Sequence, residues 1–121
     1  MELAICLDTD VAIAILNDEP RLKHIQLEGH RICISAITLF ELLLRRSNLE
    51  AVEEFRRDVT VLGFTEATAR RASEIFKTLE RLGRPTEFRD LLTAAIAVEH
   101  GCSLATFNHR HFEHIPGVKL L

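Results

Sequence analysis

The chain has 121 residues, of which 47% are hydrophobic and 27% are charged, and its formal net charge at pH 7 is −3. This length and composition predict one domain, residues 1–121, with a core large enough to fold without a disulfide or a structural metal. Disordered, collagen-like and disulfide-scaffold classes are excluded. The negative charge gives no general attraction to nucleic acid, so such a partner would have to be held locally.

In chain order, the hydrophobic pattern predicts strands that alternate with helices. Asp10, Ser35 and Thr65 are placed to cap the helices that follow them. The predicted order is strand 3–7, helix 11–16, helix 20–29, strand 31–34, helix 36–46, a helix opened by a capping box at 47–50, strand 59–62, a long helix after residue 65 that ends at 83, a polar loop 84–89, a buried helix 90–100, and strands 103–106 and 118–121.

The alternation of strands and helices predicts a three-layer α/β/α sandwich around a mainly parallel five-stranded sheet. In open sheets of this kind, ligands bind in the crevice at the carboxyl ends of the strands. We therefore expect the chemistry of the protein at that edge.

Neither a membrane span nor a disulfide framework is predicted. The apolar runs are far shorter than the ~20 residues that cross a bilayer, and the N-terminus lacks the basic lead and cleavage site of a signal peptide. Cys6, Cys33 and Cys102 lie far apart in apolar surroundings, which is typical of core residues in a reduced compartment rather than of a zinc site. We expect a cytoplasmic protein.

Three acidic residues lie outside the polar helix faces. Asp8 ends the first strand, Glu41 lies in a helix whose other polar residue is Thr38, and Asp90 opens the buried helix. A buried carboxylate needs a partner, and we expect no Lys or Arg to serve all three. If the three acids converge, a divalent cation relieves their repulsion, and an oxygen-only ligand set favours Mg²⁺ or Mn²⁺.

Each of these acids also has a purely structural explanation. Asp8 could close a strand and cap the next turn, and Asp90 could be only a helix N-cap. Glu41 has the weakest explanation of this kind, because leucines follow it directly. Thr9, beside Asp8, is expected mainly to stabilise the turn.

A fourth contribution to the crevice comes from the segment after the fourth predicted strand. Asn108 could orient a water or ligate a metal through its amide oxygen, and it is about equally typical of a turn. His109, His111 and His114 lack the helical spacing of a zinc site. They are expected first as surface residues and second as phosphate contacts.

Four segments resemble those of PIN-domain ribonucleases, specifically VapC-type toxins of toxin–antitoxin pairs, in the same order and spacing over essentially the whole chain. They are LDTD at 7–10, ISAITLFEL at 34–42, RDLLTAAIA at 89–97 and LATFN at 104–108. The resemblance implies the family's five-stranded parallel sheet and an acidic cluster of Asp8, Glu41 and Asp90. Asn108 stands where many members have a fourth Asp. Its amide is a weaker metal ligand than a carboxylate, which puts a second metal site in doubt.

The resemblance also implies RNA as substrate, often tRNA or ribosomal RNA, together with a homodimer and inhibition by a VapB-type antitoxin. An arginine of the antitoxin would pair with the carboxylates and displace the metal. Its peptide groove is expected among helices that contain Leu22, Ile25, Leu49 and Val52.

The leading hypothesis is therefore metal-dependent hydrolysis of RNA. Asp8 and Asp90 would hold Mg²⁺ or Mn²⁺, Glu41 would complete the site or orient the attacking water, and Asn108 would assist. Two alternatives stay open. One is an aspartyl-phosphate phosphatase, in which Asp8 would attack phosphorus and Asp10 would serve as acid and base. Such an enzyme would also need a lysine near the crevice. The other is a non-catalytic module that binds a partner protein.

Overall fold

The most apolar strands of the chain form the centre of a parallel sheet in the computed structural model, which describes residues 2–121. The strand order is β3-β2-β1-β4-β5, and every neighbouring pair is parallel. The strands are β1 (Ala4–Leu7), β2 (Arg31–Ser35), β3 (Thr60–Leu62), β4 (Ser103–Ala105) and β5 (Lys119–Leu120). The helices are α1 (Thr9–Leu16), α2 (Ala36–Leu43), α3 (Leu49–Arg57), α4 (Glu66–Arg81), α5 (Phe88–Glu99) and α6 (His109–Phe112).

The central strand β1 sends alternate side chains into two separate cores, because successive residues of a strand point to opposite faces. Ile5 and Leu7 pack with α1, α2 and α3 on one face. Cys6 packs on the other face with α4, α5 and α6. The predicted three-layer sandwich with a parallel five-stranded sheet is confirmed.

Two of the predicted helix caps are confirmed. The Ser35 hydroxyl accepts a hydrogen bond from the Thr38 N–H at 3.1 Å, at the start of α2. Thr65 accepts one from the Thr68 N–H at 3.2 Å, at the start of α4. Each satisfies a backbone donor that the first turn of a helix leaves unpaired.

Other local predictions are wrong. Asp8, not Asp10, caps α1, because the chain turns from β1 directly into the helix. The capping box at 47–50 does not form, since Asn48 adopts a left-handed φ of 58° and its side chain makes no capping bond. The predicted helix 20–29 is only a 3-10 helix at Pro20–His24, none of whose residues is buried.

The start of α5 differs from prediction in a way that matters for the site. The helix begins at Phe88 rather than at Asp90, because Glu87 takes the extended backbone of the N-cap position. Arg89 therefore lies in the first turn of α5 and not in a loop. Among residues 2–121, no helix combines the length and the apolar character that a membrane crossing requires.

The thiols provide a test of this packing. Cys6, Cys33 and Cys102 are free and buried, and burial raises the pKa of Cys6 and raises the pKa of Cys102 to about 11. Because only the exposed thiolate reacts, we expect no rapid reaction with Ellman's reagent at pH 8. All three thiols should react in guanidinium chloride, and a rapidly reacting thiol in the native protein would contradict the packing.

Candidate active site

Polar side chains lie together where three strands of the sheet end. Leu7 of β1 pairs with Ile34 of β2 and with Ala105 of β4. The next residue along each strand therefore lies at the same carboxyl edge of the sheet. These three residues, Asp8, Ser35 and Thr106, are all buried.

Asp8 is held at this edge by contacts to both carboxylate oxygens. Its Oδ1 accepts hydrogen bonds from the Thr9 N–H at 2.9 Å and from Arg89 Nη2 at 2.7 Å. Its Oδ2 accepts one from the Thr106 hydroxyl at 2.8 Å. Closing the strand and capping the helix thus describe only part of the role of Asp8.

A single guanidinium contacts all three acids that the sequence singled out. Besides Asp8, Arg89 donates from Nε to Glu41 Oε1 at 3.0 Å and from Nη1 to Asp90 Oδ1 at 2.8 Å. The structure thus brings Asp8, Glu41 and Asp90 together. The expectation that no Lys or Arg serves all three was wrong, because that expectation placed Arg89 in a loop outside the helix.

The charges of this group do not cancel. Burial alone would lower the pKa of Arg89, but its hydrogen bonds to Glu41, Asp90 and Asp8 outweigh burial and hold that pKa above its usual value. Arg89 is therefore a permanent cation. One positive charge faces three carboxyl groups, so the cluster keeps a formal excess of two negative charges.

The Thr9 hydroxyl links two of the charged groups. It donates to Glu41 Oε1 at 2.6 Å and accepts from Arg89 Nη2 at 2.7 Å. A third contact, to the Thr38 hydroxyl at 3.0 Å, ties it to α2. Thr9 therefore does more than stabilise the turn after β1.

Asp90 approaches the cluster from the first turn of α5. It is 5% exposed, and its Oδ2 lies 3.2 Å from His111 Nδ1 on α6. Since Glu87 is the N-cap of α5, the alternative interpretation of Asp90 as only a helix cap is wrong. Asp90 lies between Arg89 on one side and an exposed histidine on the other.

The structure does not join the side chain of Asn108 to the acids. Asn108 is exposed and precedes α6, and its backbone N–H donates to the Thr106 hydroxyl at 3.0 Å. Within residues 2–121, no hydrogen bond connects its amide group to the three carboxylates. This is the geometry of a turn residue next to the site.

Asp10 is a fourth acid at this edge, which the sequence analysis considers as a helix cap and as part of the phosphatase alternative. Its two oxygens accept hydrogen bonds from the backbone N–H groups of Val11 at 2.8 Å and Phe107 at 3.1 Å. Burial, together with the nearby charge of Asp8, raises the pKa of Asp10 above its usual value. Its bond to Phe107 ties α1 to the segment after β4.

The donor chemistry of the cluster fits a hard divalent cation, while the present arrangement is not a ready-made cage. Carboxylate oxygens are the ligands that Mg²⁺ and Mn²⁺ prefer. Over residues 2–121, however, no group of three or more His, Cys, Asp or Glu side chains is disposed to hold a metal. The guanidinium of Arg89 lies among the oxygens that would do so.

Two clefts include residues of the cluster or their direct partners. One, of about 680 Å³, includes Thr106, Phe107, His109, Arg21 and His24 in its lining, and the Arg21 guanidinium lies 3.9 Å from the centre of the Phe107 ring. The other, of about 250 Å³, is lined by Asp90, Arg110, His111 and His114, among others. Basic side chains thus line both clefts.

Two residues of the site, Arg89 and Thr106, are not predicted from the sequence, for different reasons. The predicted loop 84–89 contains Arg89, whereas the helix begins two residues before Asp90. Thr106 is predicted only as the end of a strand, although it stands in register with Asp8. Parallel register was the information that would have identified Thr106.

The fold and the acidic edge define an α/β domain with a carboxylate-lined crevice. A model of the PIN domain matches residues 5–118. The tRNA(fMet)-specific endonuclease VapC of Salmonella typhimurium is 34% identical, and the alignment covers 98% of this chain and 96% of that protein. The protein of the same name from Shigella flexneri is 30% identical, with coverage of 97% and 96%.

A solved structure agrees with these sequence matches. The structure of DNA-bound VapBC from Salmonella typhimurium matches with a TM-score of 0.84 and 32% identity, over 98% of this chain and 97% of that one. The chain belongs to the PIN-domain family, as its four sequence segments indicated.

Replacing Thr9 by valine tests the polar network, because valine keeps the shape and removes the hydroxyl. We expect Thr9→Val to lower the free energy of unfolding by about 1–2 kcal/mol, since a donor to Glu41 and an acceptor for Arg89 are lost. Thr9→Ser, which keeps the hydroxyl, should lose much less. Urea denaturation measures both, and a Thr9→Val protein as stable as the native chain would contradict the network.

Proposed function

We propose that this protein is a divalent-metal-dependent endoribonuclease that acts as the toxin of a VapBC-type pair. The observation that carries the proposal is the convergence of Asp8, Glu41 and Asp90, from three distant parts of the chain, around one cationic centre. Three carboxyl groups at the margin of a core are costly to keep unless a cation is held there. The names of the two VapC relatives, both endonucleases, support the same activity.

Within this proposal, Asp8 and Asp90 would hold Mg²⁺ or Mn²⁺, and Glu41 would complete the site or orient the attacking water. A bound divalent ion supplies Lewis-acid chemistry that activates water and neutralises charge on the phosphate. Thr106 and Thr9 hold the carboxylates of Asp8 and Glu41 in position. Asn108, at the start of α6, would orient a water or ligate through its amide oxygen. Its backbone N–H contacts Thr106.

The proposed substrate is structured RNA such as tRNA or ribosomal RNA. The relatives from Salmonella and Shigella are named as specific for tRNA(fMet). Because the net charge of the chain is −3, attraction of phosphates must be local. Arg21, His24 and Arg110, at the two clefts, are placed to supply it.

The phosphatase alternative is disfavoured by the position of Asp10. A phosphatase would use this residue as acid and base, yet backbone N–H groups occupy both of its oxygens. The cation beside Asp8 is Arg89 and not a lysine.

We also propose a VapB-type antitoxin as partner and a homodimer as the assembly. Of the four residues expected near the peptide groove, Leu49 is 43% exposed, Leu22 and Ile25 are partly buried against the core, and Val52 is fully buried. Phe40 and Leu44 are each more than 60% exposed at the end of α2 and are better placed for a partner. An antitoxin arginine aimed at the carboxylates would have to compete with Arg89.

Copurification with the product of a neighbouring reading frame tests the antitoxin partner. Light scattering of the purified toxin tests the homodimer.

Removing one carboxylate tests the proposed activity. We expect Asp90→Asn to reduce RNA cleavage in Mn²⁺ by at least about 100-fold, because the ion loses a ligand. Chelation by EDTA should abolish cleavage by the native protein. The products should carry 5′-phosphate and 3′-hydroxyl ends, since water is the nucleophile.

The matched control for this experiment is Asp58→Asn, which changes an exposed acid at the end of α3. It should cleave as the native protein does. Products with 2′,3′-cyclic phosphate ends, or activity undiminished in EDTA, would contradict the metal mechanism. Full activity of Asp90→Asn would place the catalysis at a different site, and no cleavage by the native protein would favour the non-catalytic alternative.

A second substitution tests the path of the RNA. Arg110 is exposed in the smaller cleft, and we expect Arg110→Gln to weaken RNA binding at low salt. The slope of log K against log salt should fall by about 1, as for the loss of one phosphate contact. Arg57→Gln is the control, because Arg57 ends α3 just before β3 and so lies at the opposite edge of the sheet. An unchanged slope for Arg110→Gln would place the RNA elsewhere.

A further inference from the structure

Arg89 has a position that the proposed reaction does not account for. Its Nε, Nη1 and Nη2 atoms all donate to carboxylate oxygens of the candidate metal ligands, at 2.7–3.2 Å. A residue that merely lined the site would leave those oxygens free.

The guanidinium and a divalent ion compete for the same oxygens. Arg89 is a planar cation that binds these oxygens through separate N–H groups. Mg²⁺ and Mn²⁺ instead need oxygens gathered at about 2 Å around one point. The two cations would also repel each other at such close range. The guanidinium and a divalent ion therefore cannot occupy the centre of the cluster at the same time.

The structure provides a route by which Arg89 can leave. Its side chain is 30% exposed, as is that of Glu41, while the side chains of Asp8 and Asp90 are 4% and 7% exposed. It extends from the first turn of α5, next to the loop that precedes the helix. Asp8 is held by the Thr106 hydroxyl and the Thr9 N–H, and Glu41 accepts from the Thr9 hydroxyl, so these carboxylates keep partners when the guanidinium turns away.

We propose that Arg89 is a built-in counter-cation that fills the divalent-cation site in the metal-free protein and must turn toward solvent before the metal binds. This inference rests on the proposed function, because it takes the same carboxylates as ligands. It assigns Arg89 opposite effects in two states. The side chain stabilises the metal-free fold by neutralising part of the acidic charge, and it weakens metal affinity by competing for the ligands.

The competing role can be separated from a merely structural one by measuring Mn²⁺ binding directly. We expect Arg89→Gln to bind Mn²⁺ at least about tenfold more tightly than the native protein in calorimetric titration. Its melting temperature without metal should be lower than that of the native protein, and the rise in melting temperature on adding Mn²⁺ should be larger. Arg84→Gln, a change of an exposed arginine in the loop before α5, should match the native protein in both measurements.

Arg89→Lys provides a second variant that keeps the charge with fewer donors, and its Mn²⁺ affinity should lie between those of the native and glutamine proteins.

If Arg89→Gln does not fold in the absence of metal, refolding in Mn²⁺ should rescue it, and failure of that rescue would overturn the inference. Equal Mn²⁺ affinity of the native and glutamine proteins would overturn the inference and leave the proposed function intact. No Mn²⁺ binding by any of these proteins would overturn both.

Discussion

The contact between one guanidinium and three carboxyl groups is the interaction on which the site depends. Asp8, Glu41 and Asp90 come from β1, α2 and α5, and Arg89 joins them into one group. Without a cation among them, these acids would repel each other at the margin of an apolar core, at a cost of several kcal/mol. A cation at that point thus stabilises the fold.

The sheet explains why the acids meet at this edge. Parallel strands all end on the same side, so a polar residue after each strand enters a common crevice. Asp8 and Thr106 follow directly from that register, and their 2.8 Å hydrogen bond fixes the carboxylate. The helices α2 and α5 then bring Glu41 and Asp90 over this edge.

Much of the fold could be predicted from the sequence, because it depends on local patterns. Apolar runs such as that of β1 and caps such as Ser35 and Thr65 follow from residues close together in the chain. The end of α2 and the short 3-10 helix after α1 were less predictable, since tertiary packing decides how far a weak helix extends.

The acids of the site could be chosen from the sequence, but the partner of those acids could not. Asp8, Glu41 and Asp90 stood out because each is a carboxylate in apolar surroundings. Arg89 lies among polar residues and gave no such contrast, and its contacts span up to 81 positions of the chain. Only the three-dimensional arrangement shows that one arginine serves three acids.

If Asp8, Glu41 and Asp90 form a cation site that Arg89 now occupies, a divalent ion must displace the guanidinium when it binds. The most direct test is a crystal structure of the native protein grown in Mn²⁺, with anomalous diffraction used to locate the metal. We expect an anomalous peak beside oxygens of Asp8 and Asp90, with the guanidinium turned out of the cluster. An undisturbed Arg89 and no peak at saturating Mn²⁺ would contradict it.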